Sequence, residues 1–321
     1  MPIILFNFKN YWKHPFVNKY LDGEKYEGIL VIQNKKNIFF SHPFNFNQLK
    51  KESIKQIIVK EYSITNFKKI LLKEKELGYD SKYTTVSQLN FLKKTFNKKK
   101  FVDCSKIIEE KREIKNQTEI NNILIASKQT KKTINKAKKL LKKGISEKTI
   151  ELFVNNDFKK NGCTTAFCII AFGKNTLNLH HSPTNKKLDN GPVLFDIGAK
   201  YNGYCADIST SFWFGKKDKN YLGYEKDLKL VKNSLKKIEN ILKSGLKANK
   251  LFLEVSDLNL PHAIGHGIGL EEHDFPTGIG LNSNWILKEG MVIAIEPGKY
   301  DKFGIRVEKN YLIKKDGFKE L

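Results

Sequence analysis

Four acidic residues of this chain stand inside segments that otherwise read as apolar strand. Asp196 and Asp207 lie in PVLFDIGAKYNGYCADISTSFWF, Glu296 closes the run GMVIAIEPG, and Glu308 follows in GIRVEKNYLI. An ionised carboxylate is costly to bury without a partner. Four brought together repel one another unless a cation of higher charge sits among them. A fold that buries these strands must therefore bring cations to four carboxylates. The lysine nearest the aspartate pair, Lys200, falls at a turn, so a bound metal is the better partner.

The aspartates can be placed by geometry. Asn202-Gly203 suits a two-residue type I′ hairpin, and with that turn Tyr201 faces Tyr204 and Asp196 stands opposite Ser209. Asp207, two residues from Ser209, shares its face and lies diagonal to Asp196, within roughly 7–8 Å at the backbone. A loop one residue longer would put the two on opposite faces. Downstream, Glu296 ends a buried strand at Pro297-Gly298. Arg306 and Glu308 fall on one face of a further strand, with Ile305 and Val307 on the other. Packing sets the backbone direction at each position, as a metal site requires.

Between these segments lies PHAIGHGIGLEEHDFP, residues 261–276, with His262, His266 and His273 among Gly265, Gly267 and Gly269. Glycine costs about 1 kcal/mol in a helix interior and leaves a strand without a packing group. The run is expected to be a loop that lets the backbone approach something closely. A second pair, His180 and His181, sits in the polar loop GKNTLNLHHSPTNK.

The net charge of +24 raises the question of a nucleic-acid partner. Only Arg112 and Arg306 are arginine, and lysine is spread over every segment. Nucleic-acid surfaces favour the planar arginine fork and clustered charge, so the pattern argues against that partner and fits a drift towards AT-rich codons. It also makes the two arginines informative, since fork geometry should matter where lysine was not used. Cys104, Cys163, Cys168 and Cys205 show no metal-knuckle spacing and are too few for a disulfide scaffold, which points to free thiols in the cytosol. The N-terminal apolar patch is broken by Lys9 and lacks a cleavage site, and no later run approaches membrane length. The expectation is a cytoplasmic protein without a membrane partner.

Along the chain, residues 27–40 read as two strands around the turn formers Asn34 to Asn37, and residues 54–59 as another. Residues 68–77 and 86–96 look helical, making a small α/β unit with no chemical constellation. A boundary falls near Glu109. Beyond it come an amphipathic helix stopping at Gly144, a second helix capped by Ser146, a strand over residues 164–172, and a long helix over residues 222–246.

Taken in order, Asp196, Asp207, His266 in GHGIGL, Glu296 in IEPG and Glu308 in IRVE form a set that resembles the pita-bread metallopeptidases, the superfamily of aminopeptidase P, prolidase and methionine aminopeptidase. The segment VDCSKIIEEKREIKNQTEI is similar to the junction between the N-terminal and catalytic domains of the Xaa-Pro branch. The resemblance implies an α+β protein, with a small creatinase-like α/β domain over residues 1–110 and a pita-bread catalytic domain over residues 111–321. It implies two divalent ions, Mn²⁺ ahead of Co²⁺ or Zn²⁺. Asp207 and Glu308 would bridge them, Asp196 would chelate one, and His266 and Glu296 would bind the other. An oxygen-rich set with one imidazole suits such ions, and two of them roughly 3.5–4 Å apart acidify a shared water and polarise a carbonyl. On the same match Glu296 shuttles the proton to the leaving nitrogen. His180 and His273 hydrogen-bond the substrate, His262 lines the cleft, and Arg306 holds a carboxylate bidentately. For His180 and His262 a supporting role outside the substrate's reach is an equal alternative.

A separate N-terminal domain and the arginine of IRVE resemble the Xaa-Pro branch more than methionine aminopeptidases. Prolidases generally present an arginine to the product carboxylate between the last histidine and IEPG, whereas from His273 to Glu296 this chain has only Lys288. The expected activity is removal of the residue before proline from proline-containing peptides. Prolidase, methionine aminopeptidase, and a silent relative that binds peptides, histones or RNA are the alternatives, and a homodimer stays open. The chain departs from the family at Leu179, often proline, and Thr210, often arginine.

Overall fold

The short apolar runs of the first part become strands β1 (Ile3–Asn7), β2 (Gly28–Ile32), β3 (Asn37–Ser41), β4 (Ile57–Glu61), β5 (Glu76–Tyr79) and β6 (Lys100–Asp103), with helices α1 (Pro43–Lys51), α2 (Ile64–Leu71), α3 (Val86–Thr95) and α4 (Ser105–Glu113). The computed structural model describes residues 1–8, 13–21, 25–33, 36–52 and 57–321. Lys9, Asn34 and Ile54, which entered the expectations above, lie outside the described residues. The six strands form one mixed sheet in the order β4-β3-β2-β1-β5-β6. Phe67 and Leu71 of α2 and Leu92 of α3 pack on Ile4, Phe6 and Val31.

The helix expected over residues 68–77 is two elements. Ser63 caps it earlier, its hydroxyl accepting from Asn66 N at 3.1 Å, and it stops at Leu71. Residues 76–79 pair in parallel with β1 instead. Gly78 permits that approach, since a Cβ there would meet Cys104 Sγ at 2.7 Å. The chain divides into two compact units, Met1–Lys111 and Arg112–Leu321. The division expected near Glu109 falls between Lys111 and Arg112, inside α4.

The second unit places two helix-covered sheets around the acidic residues. Helices α5 (Gln117–Leu140) and α6 (Glu147–Lys160) cover a sheet of β7 (Thr164–Phe172), β8 (Gly191–Tyr201), β9 (Tyr204–Cys205) and β10 (Ile208–Phe214), ordered β10-β8-β7 with β9 on β8. Helix α7 (Tyr221–Ile241) and the short α8 (Ala248–Leu253) cover a sheet of β11 (Gly265–Gly267), β12 (Val292–Ile295), β15 (Lys309–Lys314) and β16 (Gly317–Glu320), and β13 (Gly298–Tyr300) pairs with β14 (Gly304–Arg306). Odd-numbered residues go to the helices. Val193, Phe195, Ile197 and Ala199 join the core under α5 and α6, while Ile293, Ile295, Tyr311 and Ile313 join Leu228, Val231, Leu235 and Ile238 of α7. Burying each large aliphatic of that stripe contributes roughly 1.5–3 kcal/mol. With a strand period of two, Asp196, His266, Ala294 and Asn310 are left on the opposite faces.

Three elements of the second unit differ from expectation. Helix α7 ends at Ile241, short of residue 246, because Leu242 turns extended and Gly245 takes φ +86°. Part of the histidine run is strand, with His266 opposite Ala294. Here glycine serves close pairing, since a Cβ on Gly265 would lie 2.2 Å from Ala294 O and one on Gly267 2.4 Å from Phe275 C. The strand expected through residues 304–313 is broken at Val307 and Glu308, whose amides bond to Pro297 O at 3.2 Å and Ser209 O at 3.1 Å. Among the described residues no helix is long and apolar enough to cross a membrane.

Candidate functional site

The Asn-Gly turn has the left-handed backbone its residues favour, φ +47° at Asn202 and +81° at Gly203. Tyr201 pairs with Tyr204, and Asp196 with Ser209. The strand is interrupted between β9 and β10, where Asp207 sits. Asn310 anchors it there, accepting from Asp207 N at 3.0 Å and donating through Nδ2 to Asp207 O.

Asp196, Asp207 and Glu308 converge, with donor oxygens within 4.8 Å of one another, and so do donor atoms of His266, Glu296 and Glu308. The two groups share Glu308. His266 Nδ1 donates to Gly267 O at 3.0 Å, which leaves the Nε2 lone pair aimed at the acids. That nitrogen lies 3.7 Å from Asp207 Oδ2, 3.7 Å from Glu296 Oε1 and 3.8 Å from Glu308 Oε1. Burial and neighbouring His273 push its pKa down to about 4, so the ring is neutral. Burial and then the charge of Asp196 push Glu308 up to about 7. Burial and then Glu308 raise Asp207 and Glu296 well above the ordinary carboxylate range.

Asp196 Oδ1, Asp207 Oδ1 and Glu308 Oε1 are buried without a hydrogen-bond partner. Buried oxygens of this kind need a positive partner. A neutral imidazole nitrogen facing three carboxylates cannot supply one. The donor set therefore fits divalent cations: hard oxygens, one imidazole, and a ring oriented by a backbone carbonyl.

Arg306, buried beside them, meets part of the negative charge. Its Nη2 donates to Asp196 Oδ2 and, at 3.4 Å, to Leu179 O. Its Nε donates to Ser209 Oγ at 3.1 Å, and that hydroxyl donates to Glu308 Oε2 at 2.8 Å. Its Nη1 lies 3.5 Å from Tyr300 OH. Tyr300 OH is 3.1 Å from His262 Nε2, and His262 Nδ1 donates to Ala263 O at 2.6 Å.

These groups open on a cavity of about 870 Å³ that His180, His262 and His273 also line. The His273 ring lies 4.2 Å from that of His266, centroid to centroid. His180 is exposed, whereas His181 is buried with Nε2 2.9 Å from Glu147 Oε2. Lys288 does not reach the cavity and pairs with Glu113 Oε2 at 3.1 Å. Sequence reasoning missed Ser209 as a bridge, Tyr300, Asn310 and Glu147. Of these only Asn310 carried a signal, a lone amide at an even position of an apolar strand.

Known proteins resemble this chain in sequence and in fold. A family model described as metallopeptidase family M24 matches residues 121–315, and one described as the creatinase/prolidase N-terminal domain matches residues 18–114. An uncharacterized peptidase of Staphylococcus epidermidis is 30% identical over 331 residues, covering 100% of this chain and 92% of its own. One of Methanocaldococcus jannaschii is 37% identical over 239 residues, covering 70% of this chain and 67% of its own. Among solved structures, an X-Pro aminopeptidase of Thermotoga maritima superposes with a TM-score of 0.89 at 24% identity, covering 99% of this chain and 94% of that one. A prolidase of Pyrococcus horikoshii gives 0.86 at 27% identity, with 99% and 92% covered.

Proposed function

Since the chain belongs to metallopeptidase family M24, we propose that it is a dinuclear Mn²⁺ exopeptidase of the aminopeptidase P type, which hydrolyses the Xaa-Pro bond at the N-terminus of peptides longer than two residues. The observation that carries the metal site is the set of buried, partnerless oxygens on Asp196, Asp207 and Glu308, three converging carboxylates of which Asp207 and Glu308 also face the Nε2 of His266. Asp196, Asp207, His266, Glu296 and Glu308 would hold the ions. Two divalent ions there supply Lewis-acid polarisation of the scissile carbonyl and a water acidic enough to ionise near neutral pH.

The protein's own groups do the rest. Glu296, which lines the cavity beside His266 and Glu308, takes a proton from the attacking water and returns it to the departing nitrogen of proline, as a carboxylate within reach of both can. His273 and His180 line the cavity and orient the substrate around the scissile bond. Arg306 and Ser209 hold Asp196 and Glu308 in place, so that neither reorganises during the reaction.

The preference for longer peptides is supported by Lys288, the one cation between His273 and Glu296, being engaged with Glu113. Of the cavity's basic side chains, Arg306 is occupied by Asp196 and Ser209, and Lys148 is exposed. A dipeptide's free proline carboxylate thus lacks a dedicated fork. Mn²⁺-supplemented assays of Xaa-Pro dipeptides against Xaa-Pro-Yaa tripeptides test this, with cleavage of tripeptides expected. Equal or better cleavage of dipeptides overturns the branch, and equal activity in Glu296→Ala removes Glu296 from the mechanism.

A further inference from the structure

Arg306 belongs to the site, which leaves the chain's other arginine unexplained. Arg112 is buried, its side chain 1% exposed. Its fork reaches two acids of one loop, Nη2 to Glu271 Oε2 at 2.5 Å and Nε to Asp274 Oδ1 at 2.8 Å. Its Cζ lies 5.2 Å from the Phe275 ring centroid. Three residues on, the buried Lys115 donates to Phe275 O at 2.9 Å.

Asp274 closes the loop from within. Its Oδ2 accepts from Leu270 N at 2.8 Å, its Oδ1 from Phe275 N at 2.7 Å, and its own amide bonds to Gly267 O at 2.8 Å. Gly269 makes room for this, since a Cβ there would lie 2.3 Å from Asp274 Oδ2 and 3.0 Å from Lys115 Cε. Between the two acids that Arg112 grips stands His273, exposed in the cavity against His266.

We infer that Arg112 is a positioning residue, whose bidentate grip on Glu271 and Asp274 fixes the loop that aims His273 at the substrate. Lysine is a poor replacement, because a single ammonium nitrogen does not reproduce the two spaced donors, Nη2 and Nε, that meet the two carboxylates. The inference deepens the peptidase reading and rests on it for its kinetic effect. Misplacing a group that acts at the scissile bond slows the chemical step more than it weakens substrate binding.

The test uses the full chain with Arg112→Lys, the isosteric Asp274→Asn should the first variant fold poorly, His273→Ala, and the double variants with His273→Ala. In Mn²⁺ with an Xaa-Pro-Yaa tripeptide, Arg112→Lys is expected to lower kcat about 10- to 100-fold with KM within about twofold, and to add less than about twofold to His273→Ala. In ¹⁵N-histidine spectra the His273 ring signal, identified by its loss in His273→Ala, is expected to move in Arg112→Lys and Asp274→Asn while that of His42 stays. An unmoved His273 signal in both variants, or losses that multiply with His273→Ala, overturn the inference. If the wild type cleaves no Xaa-Pro peptide, the peptidase reading fails, and the ring signal alone then decides the role of Arg112.

Discussion

Replacing Glu308 by glutamine is expected to stabilise the metal-free protein at pH 8 and to leave it nearly unchanged at pH 4.5. Glu308 is 2% exposed, and burial followed by the charge of Asp196 moves its pKa from an ordinary 4.5 to about 7. A carboxyl raised on folding leaves the native form holding a proton that the unfolded chain has released. Stability present below pH 4.5 is therefore lost as the pH climbs to about 7. The difference is about 2.5 pH units, which at roughly 1.4 kcal/mol per unit is about 3 kcal/mol. Glutamine is neutral throughout, can still accept from Ser209, and relieves Asp207 and Glu296 of a like charge. His262 and His266, lowered by burial, act in the opposite sense below pH 6.5, but they are common to both proteins and cancel in the comparison. Urea unfolding in EDTA at pH 4.5, 6 and 8, read by amide exchange in β8, gives the two stability curves. Free Mn²⁺ at about 100 times its Kd should add close to 3 kcal/mol to the wild type and much less to the variant, which has lost a ligand. Parallel curves across pH, or equal stabilisation of both by Mn²⁺, would refute the view that Glu308 is a charge held in wait for a cation.

Further outcomes follow from the same contacts. Ser209→Ala, which breaks the bridge from Arg306 to Glu308, should cost about 1–3 kcal/mol of stability and weaken Mn²⁺ binding about 10- to 100-fold, as isothermal titration would show. Gly203→Ala places a Cβ on a left-handed residue and should cost about 1 kcal/mol without changing the metal stoichiometry by elemental analysis, because the register is also held by the β8–β10 ladder. Removing metal with EDTA should abolish peptide cleavage, and Mn²⁺ or Co²⁺ should restore more of it than Mg²⁺, given the imidazole in the donor set.

Much of the site was legible because its signals are local. Two residues, Asn202 and Gly203, determined the turn. The turn determined the register, and the register put Asp196 opposite Ser209. The alternation of apolar residues along the strands at 193–199 and 292–295 likewise settled which side chains face the helices. The helix over residues 68–77 misled because a run that short reads equally as helix end or strand, and pairing with β1 chose strand.

What the sequence could not decide are the contacts made across long stretches of chain. Ser209 meets Glu308 across 99 residues, Asn310 meets Asp207 across 103, and Arg112 meets Glu271 across 159. The first two depend on how two helix-covered sheets close against one another and the third on where the end of α4 meets the loop after β11, and no period or turn rule reaches that far. The residue types required a charged centre, and the tertiary structure chose which neutral and cationic groups hold it, because only packing brings those groups within hydrogen-bond range.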